Sequence, residues 1–112
     1  MKGTYLGEFE ELILLTVGIL NDDAYGVAIK DEVDRQTGRK VRIGSIHSAL
    51  QRLEEKGFLN SQMGGATAAR GGRRKRLFTV TTAGKAAMVN SRDLRNNLWA
   101  QLPETFVETA RS

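Results

Sequence analysis

The stretch that most restricts the fold is Gly44 to Gly57, GSIHSALQRLEEKG. Ile46, Ala49, Leu50 and Leu53 stand at i, i+3, i+4 and i+7, so on a helix they form one apolar stripe that needs a core. The opposite face opens with Gly44, Ser48 and Gln51, flanked by His47 and Arg52. These side chains are small or hydrogen-bonding, of the kind that reads base edges. The next stretch, Phe58 to Val80, reads as a hairpin with strands at Phe58 to Met63 and Arg76 to Val80. Phe78 and Val80 alternate onto one face and turn toward the core. The tip between the strands is rich in Gly and Ala, has no apolar anchor and is expected to be loose. Five of the seven residues from Arg70 to Arg76 are basic, and no acid lies between Glu55 and Asp93. A helix with a polar leading half beside a basic hairpin implies a grip on DNA.

Bulk properties narrow the classes. A chain of 112 residues is one domain with a modest core. Its charge of +4 and pI near 9.8 favour a polyanionic partner, weakly taken alone. Distribution says more: the bases bunch at 70–76, whereas the first helix carries Glu8, Glu10 and Glu11. The absence of cysteine excludes disulfide frameworks, thiolate-held zinc and thiol catalysis, and fits a reducing compartment. The longest near-apolar run, Leu12 to Leu20, is nine residues, against the roughly 20 of a membrane span. No charged segment of the signal-peptide kind precedes it, so neither leader nor anchor is expected and the location is expected to be cytoplasmic. There is no phosphate loop of the right spacing, and the single histidine has no paired nucleophile and acid. Neither an enzyme nor a cofactor is expected.

In chain order, residues 1–7 read as a loose arm. A helix over Glu8 to Leu20 places Phe9, Leu12, Ile13, Leu15, Thr16 and Ile19 broadly on one side, with acids in its first turn favouring the dipole. Asn21-Asp22-Asp23 is a turn in which either aspartate can cap the following helix. That helix, from about Ala24 to Thr37, carries Tyr25, Ile29 and Val33 as a stripe with Ala28 beside it, and Gly38 suits its stop. Arg39 to Ile43 reads as a short strand or extended linker. Thr81 or Thr82 can cap a last helix beginning near Ala83, on which Ala87, Leu94, Leu98 and Leu102 form a roughly heptad-like seam with Trp99 alongside. Such a seam needs cover, from its own domain or a second subunit. Pro103 breaks or kinks the helix, leaving Phe106 and Val107 to pack on a partner or fray. The division expected is 1–81 for a DNA-binding domain and 82–112 for a dimerisation helix and tail.

The order helix, helix, short strand, helix, hairpin wing and final helix is that of a winged helix-turn-helix, mainly α with a small β-hairpin. With DDAYGVAIKDEV at 22–33, GSIHSALQRLEEKGFL at 44–59 and GGRRKRLFTVTTAG at 71–84, the chain resembles the short form of the PadR family of bacterial transcriptional regulators. The resemblance spans over two thirds of the chain, and RLEEKG together with the basic glycine motif is its most specific part. One departure is His47, where family members usually carry a tyrosine. The resemblance implies a homodimer on double-stranded DNA at an inverted-repeat operator, with the third helix in the major groove and the wing on the backbone or minor groove. It also implies repression of nearby genes, relieved by a small effector, often aromatic, or by another signal.

Glu54 and Glu55 would press carboxylates on phosphates if the third helix inserted fully, so its leading half alone enters the groove. The candidate contacts there are Gly44, Ser45, His47, Ser48, Gln51 and Arg52, with Gln51 and Arg52 foremost at base edges; the plainer alternative is a solvated face. His47 reads as a neutral hydrogen-bonding contact or phosphate neighbour, not a metal ligand. Arg70, Gly72, Arg73, Arg74, Lys75 and Arg76 form the candidate wing contact with phosphate, against the alternatives of solubility, a localisation-like patch or RNA binding. Tyr25 with Gly26 opens the second helix, where free amides could hold a phosphate, or the tyrosine is core. Met88, Leu98, Trp99 and Leu102 are a candidate effector platform, or dimer-seam packing. The rival functions are a winged-helix protein–protein interaction module and a non-specific nucleic-acid-binding module; the deep, narrow major groove of double-stranded RNA excludes a reading helix.

Overall fold

The computed structural model describes residues 6–64 and 75–112. Helix α1 spans Glu8–Leu20, a 3₁₀ turn covers Asn21–Asp23, and α2 spans Gly26–Thr37. Helix α3 spans Ile43–Glu55, strands β1 (Leu59–Met63) and β2 (Arg76–Val80) follow, and α4 (Thr82–Ala100) and α5 (Glu104–Arg111) complete the order. This is the expected winged helix, mainly helical with one small antiparallel hairpin.

The core forms where the stripes of α1, α2 and α3 meet. Ile46, Ala49, Leu50 and Leu53 of α3 are sealed, as their spacing requires, against Ile29 and Val33 of α2 and Ile13, Leu14 and Val17 of α1. For α1 the expected face needs correction. Ile13 and Thr16 are buried and Phe9 and Leu12 pack on the core as expected, but Leu15 and Ile19 are 45% and 60% exposed, and the fully inward stripe is Glu10, Ile13, Leu14 and Val17. Those four follow the same i, i+3, i+4, i+7 spacing, but the first member is an acid, which hides the stripe from a hydrophobic pattern. Nor is the whole arm before α1 loose: Leu6 is buried in the core cluster.

The link into α2 also differs from expectation. Neither Asp22 nor Asp23 caps it; Tyr25 is the N-cap and makes no side-chain cap bond. The backbone here serves the hairpin instead, with Phe78 N–H donating to Ala24 C=O at 2.8 Å and Tyr25 bridging Leu77. The extra rung of β-type pairing therefore lies before α2. Of Arg39 to Ile43, read as a short strand or linker, residues 39–42 are a linker whose Val41 N–H donates to Asp34 Oδ1 at 2.8 Å, and Ile43 already belongs to α3. At the end of α2, Gly38 takes the left-handed conformation (φ 71°) expected of a C-terminal stop.

The hairpin pairs Leu59 with Val80 through Met63 with Arg76, which turns Phe78 into the core. Thr81 then joins three elements: its Oγ1 accepts from Gly84 N–H at 2.9 Å, the expected cap, and donates to Gly57 C=O at 2.7 Å. Its N–H reaches Phe58 C=O at 3.0 Å. Gly84 is buried so closely that a Cβ there would stand 2.3 Å from the Phe58 carbonyl oxygen. Beyond Ser91 every residue of α4 is exposed. Pro103 breaks the helix as expected, but it also starts α5 as its N-cap, so the tail that was left open is helical. Among the described residues, no helix is long and apolar enough to cross a membrane.

Candidate nucleic-acid interface

With its apolar stripe pinned, α3 presents a crest and two flanks set by the 3.6-residue turn. Gly44, Ser48, Gln51 and Glu55 make the crest and are all exposed. The leading end is uncharged, while Glu55 at the trailing end accepts from Gln51 Nε2 at 3.4 Å. A groove with phosphate walls admits the first part of this crest and repels the last.

One flank, Ser45 and Arg52, faces α1, and here Glu10 decides the geometry. Its Oε2 accepts from Arg52 Nε at 2.8 Å, and its Oε1 accepts from Lys56 Nζ at 2.5 Å and from Gly7 N–H at 3.3 Å. Burial pushes this carboxyl's pKa up, but the hydrogen bonds from Lys56, Arg52 and Gly7 together outweigh it and hold the group below the usual carboxylate range. Arg52, foremost among the expected base readers, is thereby engaged by α1. The pair ties α3 to α1, while half of the Arg52 side chain stays exposed on the flank of the crest.

The other flank, His47 and Glu54, faces α2 and the wing. The His47 ring lies against Gly26, where an added Cβ would stand 3.0 Å from Cε1. Glu54 Oε2 accepts from Ser61 Oγ at 2.6 Å, and Ser61 Oγ accepts from Arg76 Nη1 at 2.9 Å. Lys75 Nζ sits 3.7 Å from the centre of the Tyr25 ring, a cation–π contact. Tyr25 is thus not plain core: it is half-buried, bridged to β2 and in contact with Lys75 at the base of the wing. Arg70, Gly72, Arg73 and Arg74 lie outside the described residues, as does the expected loose tip.

The order of elements and the exposed crest are those of a winged-helix reader, and residues 14–90 match the family described as "Transcriptional regulator PadR-like family". The chain belongs to the PadR-like family. It is accordingly a DNA-binding transcriptional regulator and not an enzyme. No curated protein matches the chain. Among solved structures, this PadR-like chain is similar to a PadR family transcription regulator from Clostridium difficile R20291, at 26% identity and TM-score 0.62, covering 80% of this chain and 91% of that one. It is similar in fold to a PadR-like transcription factor from Bacteroides fragilis, at 20% identity and TM-score 0.66, covering 80% and 82%. A structure of hsRosR in its S1 complex has 23% identity and TM-score 0.70, covering 98% and 92%.

The C-terminal arm of the PadR-like protein carries two faces. Of the expected seam, Leu94 and Leu98 lie one turn apart on α4 and are 60% and 56% exposed, whereas Ala87 packs against the core and Leu102 lies beyond the end of the helix at Ala100. Met88 and Trp99 lie about a quarter-turn round, lining a groove against α1 with Leu15, Val89 and Arg95. The expected effector platform is therefore divided: Met88 and Trp99 share the groove, and Leu98 and Leu102 do not line it. Arg95 Nε lies 3.3 Å from Glu11 Oε1 across the same groove. Among the described residues, no group of three or more His, Cys, Asp or Glu is placed to hold a metal ion.

Sequence reasoning missed Glu10 and Ser61 and read Glu54 only as a charge that limits insertion, whereas the three tie α3 to α1 and to the base of the wing. Glu54 and Ser61 are seven residues apart on either side of a turn, and that proximity was the available signal. For Glu10 the only hint is its place in the i, i+3, i+4, i+7 stripe of α1.

Proposed function

We propose that the protein is a homodimeric repressor that binds an inverted-repeat operator, placing Ser48 and Gln51 of each α3 against base edges in the major groove. The wing cations from Arg70 to Arg76 take up neighbouring phosphates, and binding is relieved by a small aromatic molecule or another signal. The observation that carries this is the crest of α3: an uncharged, exposed leading end on a helix held along its buried stripe and braced on both flanks. Dimerisation through residues 82–112 is supported by the apolar side of α4, where Leu94 and Leu98 are left to solvent in one protomer. Effector relief is supported by Trp99 and Met88 in the α1–α4 groove, beside that seam.

The test is selection of bound duplexes from a random pool at two salt concentrations, with wild type and a Leu94→Glu/Leu98→Glu variant. Wild type is expected to enrich an inverted repeat with half-sites about one helical turn apart. The variant is expected to be monomeric in sedimentation and to enrich nothing. Enrichment of no motif would favour an interaction module; an intact dimer in the variant would refute the seam.

A further inference from the structure

The cations of the described residues are of two kinds, with and without a carboxylate partner, and among those without one Lys75 and Arg76 belong to the wing while Lys85 and Arg111 stand singly on α4 and α5. Lys30, Arg35, Arg52, Lys56, Arg92 and Arg95 each rest on a carboxylate. Arg39, Lys40 and Arg42, all exposed, form no ion pair among the described residues. The carboxylate that Lys40 does influence, Asp34, is already taken by Lys30 and the Val41 amide. Three uncompensated positive charges thus fall within four residues, directly before α3.

Their position relative to the crest is specific. Arg39 and Lys40 border a hollow with Phe9 and Ser45, and Arg42 borders the adjoining one with Ser45, Ser48 and Arg52. Ser45 and Arg52 mark the α1 flank of α3, whereas Lys75 and Arg76 stand at the wing on the His47 and Glu54 flank. The two flanks are roughly 160° apart around the helix axis. The linker is also fixed in shape: Gly38 ends α2 in a left-handed turn, and Val41 packs against the core with its amide on Asp34.

We propose that Arg39, Lys40 and Arg42 form a second phosphate-binding surface, which takes the DNA backbone on the side of α3 opposite the wing. This rests on α3 entering a major groove. That groove is about 12 Å wide, so a seated helix has a phosphate wall on each side. The wing addresses one wall, and the linker cations address the other. Because the linker is already ordered, the contact requires little conformational entropy.

The experiment measures salt-dependent affinity and phosphate-ethylation interference for the full chain on a duplex that the wild type itself selects. It compares wild type, the Arg39→Gln/Lys40→Gln/Arg42→Gln variant, each single variant, and a wing variant carrying Arg73, Arg74 and Arg76→Ala. The linker variant is expected to keep its base preference, while its log–log salt slope becomes shallower by about 0.9 for each phosphate lost, roughly two to three in all. Interference is expected to vanish at one margin of each half-site, and the wing variant should lose the other margin. Arg39→Lys/Arg42→Lys, which keeps the charge, is expected to restore the slope. An unchanged slope and pattern, loss at the same phosphates as the wing variant, or an altered base preference would each overturn the assignment. Failure of the wild type to bind any duplex would overturn the groove-reading function itself, and that outcome is visible before any variant is compared.

Discussion

Glu10→Gln isolates the interaction on which the pose of α3 depends. The carboxylate is 7% exposed and neutralises two cations from the far end of α3. Glutamine keeps the shape and can still accept from Lys56, but it turns an amide donor toward Arg52 and removes the charge. The side chain of Lys56 is 19% exposed, so its charge-assisted bond should carry about 1.5–2 kcal/mol. That of Arg52 is 50% exposed, and after solvent screening its share falls to about 0.5–1 kcal/mol. The expected destabilisation at neutral pH is therefore about 2–3 kcal/mol, a large part of the 5–15 kcal/mol typical of a domain. Urea titrations of both proteins, across a pH series, provide the measurement. The folded-state pKa of Glu10 is depressed, so its contribution is complete above the ordinary glutamate pKa and is lost as pH falls through the folded value. Glutamine does not titrate, so the two stabilities should converge in acid. A difference below about 0.5 kcal/mol at pH 7, or one that persists undiminished at low pH, would refute the clasp.

Gly84→Ala would place a methyl group 2.3 Å from the Phe58 carbonyl oxygen and 2.9 Å from Val80 Cγ1. Backbone must move to admit it, and a loss of about 1–3 kcal/mol in chemical unfolding is expected; a neutral result would mean that the α4 root is not tightly packed. Gln51→Ala is expected to leave the salt slope intact and to lower discrimination at one base pair per half-site by about 1–3 kcal/mol, read from competition binding on single-substituted operators. A uniform loss across all sequences would show that Gln51 contacts backbone instead.

Much of the fold was legible because burial and period agree. Ile46, Ala49, Leu50 and Leu53 admit one helical face, and the alternation around Phe78 fixed the inward side of its strand. Helix α1 shows where that logic weakens. When apolar residues surround most of a helix, periodicity does not choose the inward side, and an acid at the first inward position points away from the true one. Glu10 reads as a solvated first-turn acid until partners 42 and 46 positions later are brought beside it. Ala24 and Tyr25 look like the opening of a helix, yet the exposed edge of β2 takes up Ala24's carbonyl. At Pro103 the breaker was legible but the helix it begins was not, because the same residue serves both ends. On the C-terminal arm the leucine spacing was visible from sequence. The separation of Trp99 from Leu98 follows only when α1 is seen lying along one side of α4.

The way α4 is rooted has a mechanical consequence. Its first turn is keyed to Gly57 and Phe58, the same residues that close the end of α3, so the arm and the reading helix meet at a single joint. A 19-residue helix is a stiff lever of about 28 Å, and a swing of about 5° at that joint carries its far end through roughly 2.5 Å. If the far ends are tied together at a two-fold axis, the same swing registers instead as a changed distance between the two reading helices, and a small wedge at the arm is amplified into a mismatch with the pitch of the duplex.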